Sequence, residues 1–162
     1  MFEVLVYVYE NFWSVEACPQ LDQLGRKLSA AGFESDEIEQ ALQWLAGLNL
    51  VSHQSDPIDI SSAALTPESH APSEHSLRVY SVAEQDHLGA ECLGFISFLE
   101  SAGVLPPQMR EIVIDRAMVL GGRPMALDDL KIIVLMVYWS KGVEPDALVL
   151  DELCDDPQRV AH

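Results

Sequence analysis

Residues 127–139 read Leu127-Asp128-Asp129-Leu130-Lys131-Ile132-Ile133-Val134-Leu135-Met136-Val137-Tyr138-Trp139, the most continuously apolar run in an otherwise acidic chain. Wound as a helix, Leu127, Leu130, Val134, Val137 and Tyr138 fall on one side, while Ile133, Leu135, Met136 and Trp139 spread round the cylinder. Such a helix has no wholly polar face beyond its first turn. Neighbours must cover it on several sides, and the fold is decided by which segments those are. Asp128 and Asp129 stand at its positive end and Lys141 at its negative end, and Gly142 and Pro145 stop it.

Working upstream, Gly121-Gly122-Arg123-Pro124 breaks the chain before this helix. Pro106-Pro107 opens the preceding one, where a missing backbone donor costs nothing. Its inward stripe is Met109, Ile112, Val113, Ala117 and Leu120, with Arg110, Glu111 and Asp115 predicted to face out. Ser81-Val82-Ala83-Glu84 has the form of a capping box, so another helix begins there, with Leu88, Cys92, Phe95, Leu99 and Ala102 inward and Gly103 at its close. Downstream, Asp146–Leu153 is predicted as a short amphipathic helix that frays into a polar tail.

The first fifty residues divide into three further helices. Phe2, Leu5, Val6, Tyr9, Phe12 and Trp13 recur at three and four, which favours a helix over the strand that their β-rich composition also allows. Leu21, Leu24 and Leu28 share the next face, ended by Gly32 as a left-handed cap with Phe33 as an apolar plug. Ser35, Asp36 and Glu37 then start a helix carrying Ile38, Ala41, Leu42, Leu45 and Leu48 inward. Asn49-Leu50-Val51-Ser52-His53 is predicted as a strand, and Ser76-Leu77-Arg78-Val79-Tyr80 as its partner across a polar gap. Three helices followed by such a β-hairpin are the order of a winged helix.

The expected fold is therefore mainly α. A three-helix, winged-helix-like half at 1–53, its hairpin completed by 76–80, packs on a C-terminal helical half at 81–154. A mobile polar loop at 54–75 separates them and a tail at 155–162 follows. With 162 residues, 49% of them apolar, the chain buries about 70% of its unfolded surface, enough for one compact domain or two small halves sharing a core. Cys18, Cys92 and Cys154 are odd in number and lack C-x-x-C spacing, so they read as reduced thiols of a cytoplasmic protein. Met1-Phe2-Glu3-Val4 lacks the basic region of a secretory signal. No apolar run approaches the roughly 20 residues that span a bilayer. A net charge of −17 opposes approach to a phosphate backbone or an anionic leaflet and favours a basic protein as partner.

A set of short matches carries a family resemblance. These are Met1-Phe2-Glu3-Val4-Leu5, Ala31-Gly32-Phe33 with Glu37-Ile38, Ala41-Leu42-Gln43-Trp44-Leu45, Arg78-Val79-Tyr80-Ser81 with Glu84, and Cys92-Leu93-Gly94-Phe95. Arg110-Glu111-Ile112-Val113-Ile114-Asp115-Arg116 and Asp129-Leu130-Lys131 with Ile132 to Val137 complete it. Together they resemble the Smg protein family of bacteria over almost the whole chain. The resemblance implies a cytoplasmic, mostly helical protein with no assigned activity, so it transfers no catalytic residue. The His-, Ser- and Pro-bearing stretch 54–75 departs from the family pattern. More locally, Leu21–Val51 resembles the three-helix repeats of RecX, a recombinase regulator.

Few residues offer chemistry. Glu84-Gln85-Asp86-His87 is an E-x-x-H with Glu91 one turn on, but a carboxylate-bridged di-metal bundle needs a second such pair and the chain has none. The expected reading is Glu84 as a cap and His87 in solvent. His53, His70 and His75 lack a rigid frame, and Cys92 lies on an apolar stripe where a thiol is inert. Arg78, Arg110 and Arg116 are expected to pair with Glu111, Asp115 and other acids rather than to form an anion site. Phosphate-loop, dinucleotide and nucleophile-elbow signatures are missing. The third helix offers Asp36, Glu37, Glu39, Gln40 and Gln43 where a DNA-reading helix offers cations, and Arg26 and Lys27 are too few to compensate. No catalytic, cofactor-binding or metal-ligating residue is assigned. The expectation is a non-enzymatic interaction or regulatory module with Trp44, Tyr138 and Trp139 as candidate partner contacts, each also a candidate for the core. A regulator of nucleic-acid machinery is the alternative, and a metal enzyme is third.

Overall fold

The computed structural model describes residues 1–12, 20–54, 78–122, 124–146 and 149. Six helices occupy most of them: α1 (Phe2–Asn11), α2 (Leu21–Ala31), α3 (Ser35–Gln54), α4 (Val82–Ser101), α5 (Pro107–Met118) and α6 (Leu127–Ser140). No strand occurs among the described residues.

The apolar run at 127–139 is the centre of the molecule. From Leu130 to Trp139 every residue except Ile132 is buried, Lys131 included, and α1, α3, α4 and α5 all pack against this one helix. Burial on nearly all sides removes any need for a polar stripe. Lys131 keeps its charge tolerable by lying 5.7 Å over the Phe95 ring. At the far end, Lys141 Nζ donates to Ser52 O at 2.5 Å and the Ser52 and Ser140 hydroxyls pair at 2.9 Å, tying the ends of α6 and α3 together.

α1 is a helix despite three valines, because Val4, Leu5 and Val8 are buried by the helices it meets, α3 and α6. The inward face is thus turned from the predicted one: Leu5 belongs to both, Val4 and Val8 replace Val6, and Trp13 lies outside the described residues. Gly32 ends α2 at φ 99°, and the Phe33 N–H reaches back to Leu28 O. The Phe33 ring meets Tyr7 edge-on at 5.4 Å, which links this turn to α1.

The winged-helix expectation is corrected here. Residues 49–53 are not a strand but the end of α3, and Arg78-Val79-Tyr80 is irregular; Ser76 and Leu77 lie outside the described residues. The reason is periodic. Ala41, Leu45, Leu48 and Ser52 are all buried, so the inward stripe continues at four, three and four through the segment whose composition suggested a strand. Of the expected loop at 54–75, Gln54 ends α3 and the rest lies outside the described residues, as do the tail 155–162 and all but Asp146 and Val149 of the helix expected at 146–153.

α4 is two helical segments joined at Gly89, whose φ of 70° and ψ of 171° no residue with a Cβ adopts comfortably. The break frees the His87 carbonyl, which accepts from Met125 N–H at 2.7 Å and so docks the α5–α6 connection onto α4.

Candidate functional site

The aromatic contact candidates are interior. Trp44, Tyr138 and Trp139 are 3%, 4% and 5% exposed, which leaves none of them free to anchor a partner on this surface. Each spends its polar atom on a backbone carbonyl: Trp44 Nε1–H donates to Arg116 O at 3.2 Å, Trp139 Nε1–H to Phe12 O at 2.6 Å, and the Tyr138 hydroxyl to Val104 O. They are core residues with a polar atom satisfied internally.

The E-x-x-H motif comes apart into structural roles. Ser81 Oγ accepts from Glu84 N–H and the Glu84 carboxylate accepts from Ser81 N–H at 2.7 Å, the predicted capping box. His87 is not in solvent as expected. It is half-buried, with Nε2 3.1 Å from Ala117 O, because the break at Gly89 turns this part of α4 towards α5. Glu91 is exposed. Among the described residues no three His, Cys, Asp or Glu side chains converge as a metal site. Cys92 is buried, its thiol pushed up to about 11 by burial and then by the nearby Glu91 and Asp129 carboxylates, and its S–H points to Met125 O at 3.5 Å.

The arginines form ion pairs. Arg78 holds Glu84 at 2.9 Å and Glu111 at 2.7 Å; Arg110 holds Glu111 at 2.8 Å and also Glu100. The chain Glu84–Arg78–Glu111–Arg110–Glu100 joins both ends of α4 to α5. Hydrogen bonds from Arg78 hold Glu84 down to about 2. Burial raises Glu111 but the Arg78 and Arg110 hydrogen bonds outweigh it and leave that carboxyl below its ordinary value. Arg78 also lies 4.7 Å over the Tyr80 ring, and burial raises the Tyr80 phenol. Arg110 is buried rather than outward-facing.

Arg116 pairs with its neighbour Asp115 at 2.6 Å and lies across α3 at Gly47, where a Cβ would stand 2.1 Å from Nη1. Only glycine admits the guanidinium in that position.

Two concavities are lined by described residues. A groove of about 690 Å³ runs between α2 and α3 on the side away from the core, with Leu21, Gly25, Ile38, Leu42 and Ala46 as its apolar seam and Asp22, Arg26, Glu39 and Gln43 along its rim. Gly25 lets the helices approach closely, since a Cβ there would be 3.3 Å from Leu42 Cδ1. A cleft of about 510 Å³ opens on the other side of α3, at the break in α4, where Phe2, Gln40, His87, Pro124, Met125 and Asp129 meet. At its edge the Met1 α-ammonium pairs with Glu37 at 3.1 Å. Neither concavity was visible in the sequence. The signal for the second was Gly89, one of two glycines inside the periodic pattern of α4.

A helical protein with one helix enclosed by four others, with Arg78, Arg110 and Arg116 in ion pairs and with concavities between α2 and α3 and at the break in α4, is the class that fold and surface define among the described residues. The chain belongs to the Smg family: the family described as "Protein of unknown function (DUF494)" matches residues 1–162. It is 61% identical to the Smg homolog of Leptothrix cholodnii and 58% identical to that of Methylibium petroleiphilum, in each case over all of both chains. To the Smg homolog of Bordetella pertussis it is 47% identical over 96% of this chain and 95% of the relative. No solved structure matches. No described helix is long and apolar enough to cross a membrane.

Proposed function

We propose that the protein is a non-catalytic interaction module that receives a basic, amphipathic helical segment of another protein in the groove between α2 and α3. The groove itself is the observation that carries this. Its seam of Leu21, Ile38, Leu42 and Ala46 offers an apolar strip to one helix face, and Gly25, Ser29, Ser35 and Ala46 are small enough to let a backbone come close. Leu21 remains 38% exposed at its mouth. Asp22 and Glu39 stand on opposite helices, so lysines or arginines flanking an apolar stripe meet a carboxylate on either side, and the net charge of −17 adds attraction at a distance. The same rim disfavours a duplex, because Arg26 is the only cation among the residues lining the groove.

The reading is tested with the wild-type chain and two variants, Ala46→Glu in the groove and Val119→Glu on the exposed far end of α5. A partner retained at low and moderate salt by the wild type and by Val119→Glu, and released by Ala46→Glu, is the expected result. Equal retention by all three, or none by any, defeats it. A fluorescence titration with duplex and single-stranded DNA at low ionic strength is expected to show no binding.

A further inference from the structure

The segment from Arg78 to Leu88 carries an inference independent of the groove. It enters α4 through the Ser81–Glu84 capping box and ends at the break at Gly89. Leu88 is its one buried residue, and Val79 and Val82 stand 88% and 73% exposed. A segment that hides so little apolar surface opens more readily than the core. Gly89, at φ 70° and ψ 171°, also separates it from the rest of α4, so the second half of that helix does not hold the first in shape. Once undocked, Val82–Leu88 does not persist as a helix, because isolated helices shorter than about 12 residues are marginal in water.

The segment is docked by a short set of polar contacts. Arg78 bridges Glu84 at 2.9 Å and Glu111 of α5 at 2.7 Å. At the other end His87 O accepts from Met125 N–H at 2.7 Å, and His87 Nε2 lies 3.1 Å from Ala117 O. Between these two anchors stands a group that opposes docking. The Tyr80 hydroxyl oxygen is buried and has no hydrogen-bond partner among the described residues. Water supplies a partner as soon as the segment lifts, so this oxygen favours the lifted form.

We propose that Arg78–Leu88 is a latch that lifts as one unit about Gly89, with the Arg78–Glu111 ion pair as its clasp and the Tyr80 hydroxyl as the group that biases it towards opening. Lifting takes His87 out of the wall of the cleft at the break in α4 and releases the Met125 N–H. The latch therefore sets the shape of that cleft.

Native-state hydrogen exchange on the full chain, in water and in low urea, tests this. The Gln85 amide, bonded to Ser81 O at 3.0 Å, lies in the latch, and the Met125 amide lies across it in the α5–α6 connection. The two are expected to share one free energy of opening with a small urea dependence, and to exchange at least about 100-fold faster than Val134 and Met136 in the centre of α6. Arg78→Ala should speed both amides by about ten-fold. Tyr80→Phe keeps the ring and removes the unpartnered oxygen, so it should slow both by about five-fold. That sign is opposite to the loss expected if the hydroxyl merely held the segment in place. Tyr80→Phe decides the matter if Arg78→Ala does not fold. The proposal is overturned if Gln85 and Met125 exchange at the level and urea dependence of Val134, if they open with different free energies, or if Tyr80→Phe leaves them unchanged or faster. None of these outcomes bears on the groove, which Ala46→Glu reads separately.

Discussion

α6 and α2 are neighbours of α3 with opposite relations to solvent. α6 buries nine of its fourteen residues against four helices, whereas α2 buries Leu24 and Leu28 alone and packs chiefly on α3. α6 has no face to spare for water, whereas α2 keeps an apolar edge that none of the described residues covers. The difference separates the helix that maintains the fold from the helix proposed to receive a partner.

The sharpest way to break that contrast is to truncate one leucine in each. Leu130→Ala, at a fully buried site in α6, should cost about 2–5 kcal/mol, while Leu21→Ala on α2 should cost under about 1 kcal/mol, both read by urea denaturation. Equal losses would mean that the α2 edge is as structural as the centre. Next in size is the bend in α4. Gly89→Ala should cost about 1–3 kcal/mol because of its backbone conformation alone, since a Cβ there meets nothing. Gly94→Ala, in the same helix and equally open, should be neutral or stabilise by up to about 1 kcal/mol in a thermal melt.

The ion-pair chain gives a smaller effect with a defined pH direction. Glu84 is held at about 2 in the folded protein against an ordinary value of 4.5. Its contribution is therefore fully present above 4.5 and is lost as pH falls towards 2. Arg78→Ala should cost about 1–2 kcal/mol at neutral pH and should flatten the loss of stability between pH 4.5 and 2 in acid denaturation. The smallest expected effect on stability belongs to the groove. Ala46→Glu should change it by less than about 0.5 kcal/mol while removing partner retention, which would confirm that this edge serves binding rather than folding.

Much of the frame was legible because it is local. The Ser81–Glu84 box, the Gly32 cap, Pro107 at the start of α5 and the all-round apolar character of 127–139 each need only a few adjacent residues to be recognised. The end of α3 was misread because Asn49–His53 has strand-like composition, and only the continued spacing through Ser52 revealed the helix. Arg110 and Arg116 were placed outside or left open because a sequence does not show that Glu100 or the bare backbone of Gly47 waits for them. The concavities were illegible for a related reason. Residues of the cleft run from Met1 to Asp129 and form no linear motif, and the groove residues read as an ordinary helix pair.

The contact of Trp139 with the carbonyl of Phe12 spans 127 residues of chain. A ribosome adding about 5–20 residues per second needs on the order of 6–25 s between making the two. For that interval Val4, Leu5 and Val8 have been made and the share of their cover that α6 supplies has not, so an apolar stripe at the head of the chain waits for its last neighbour until synthesis is nearly finished.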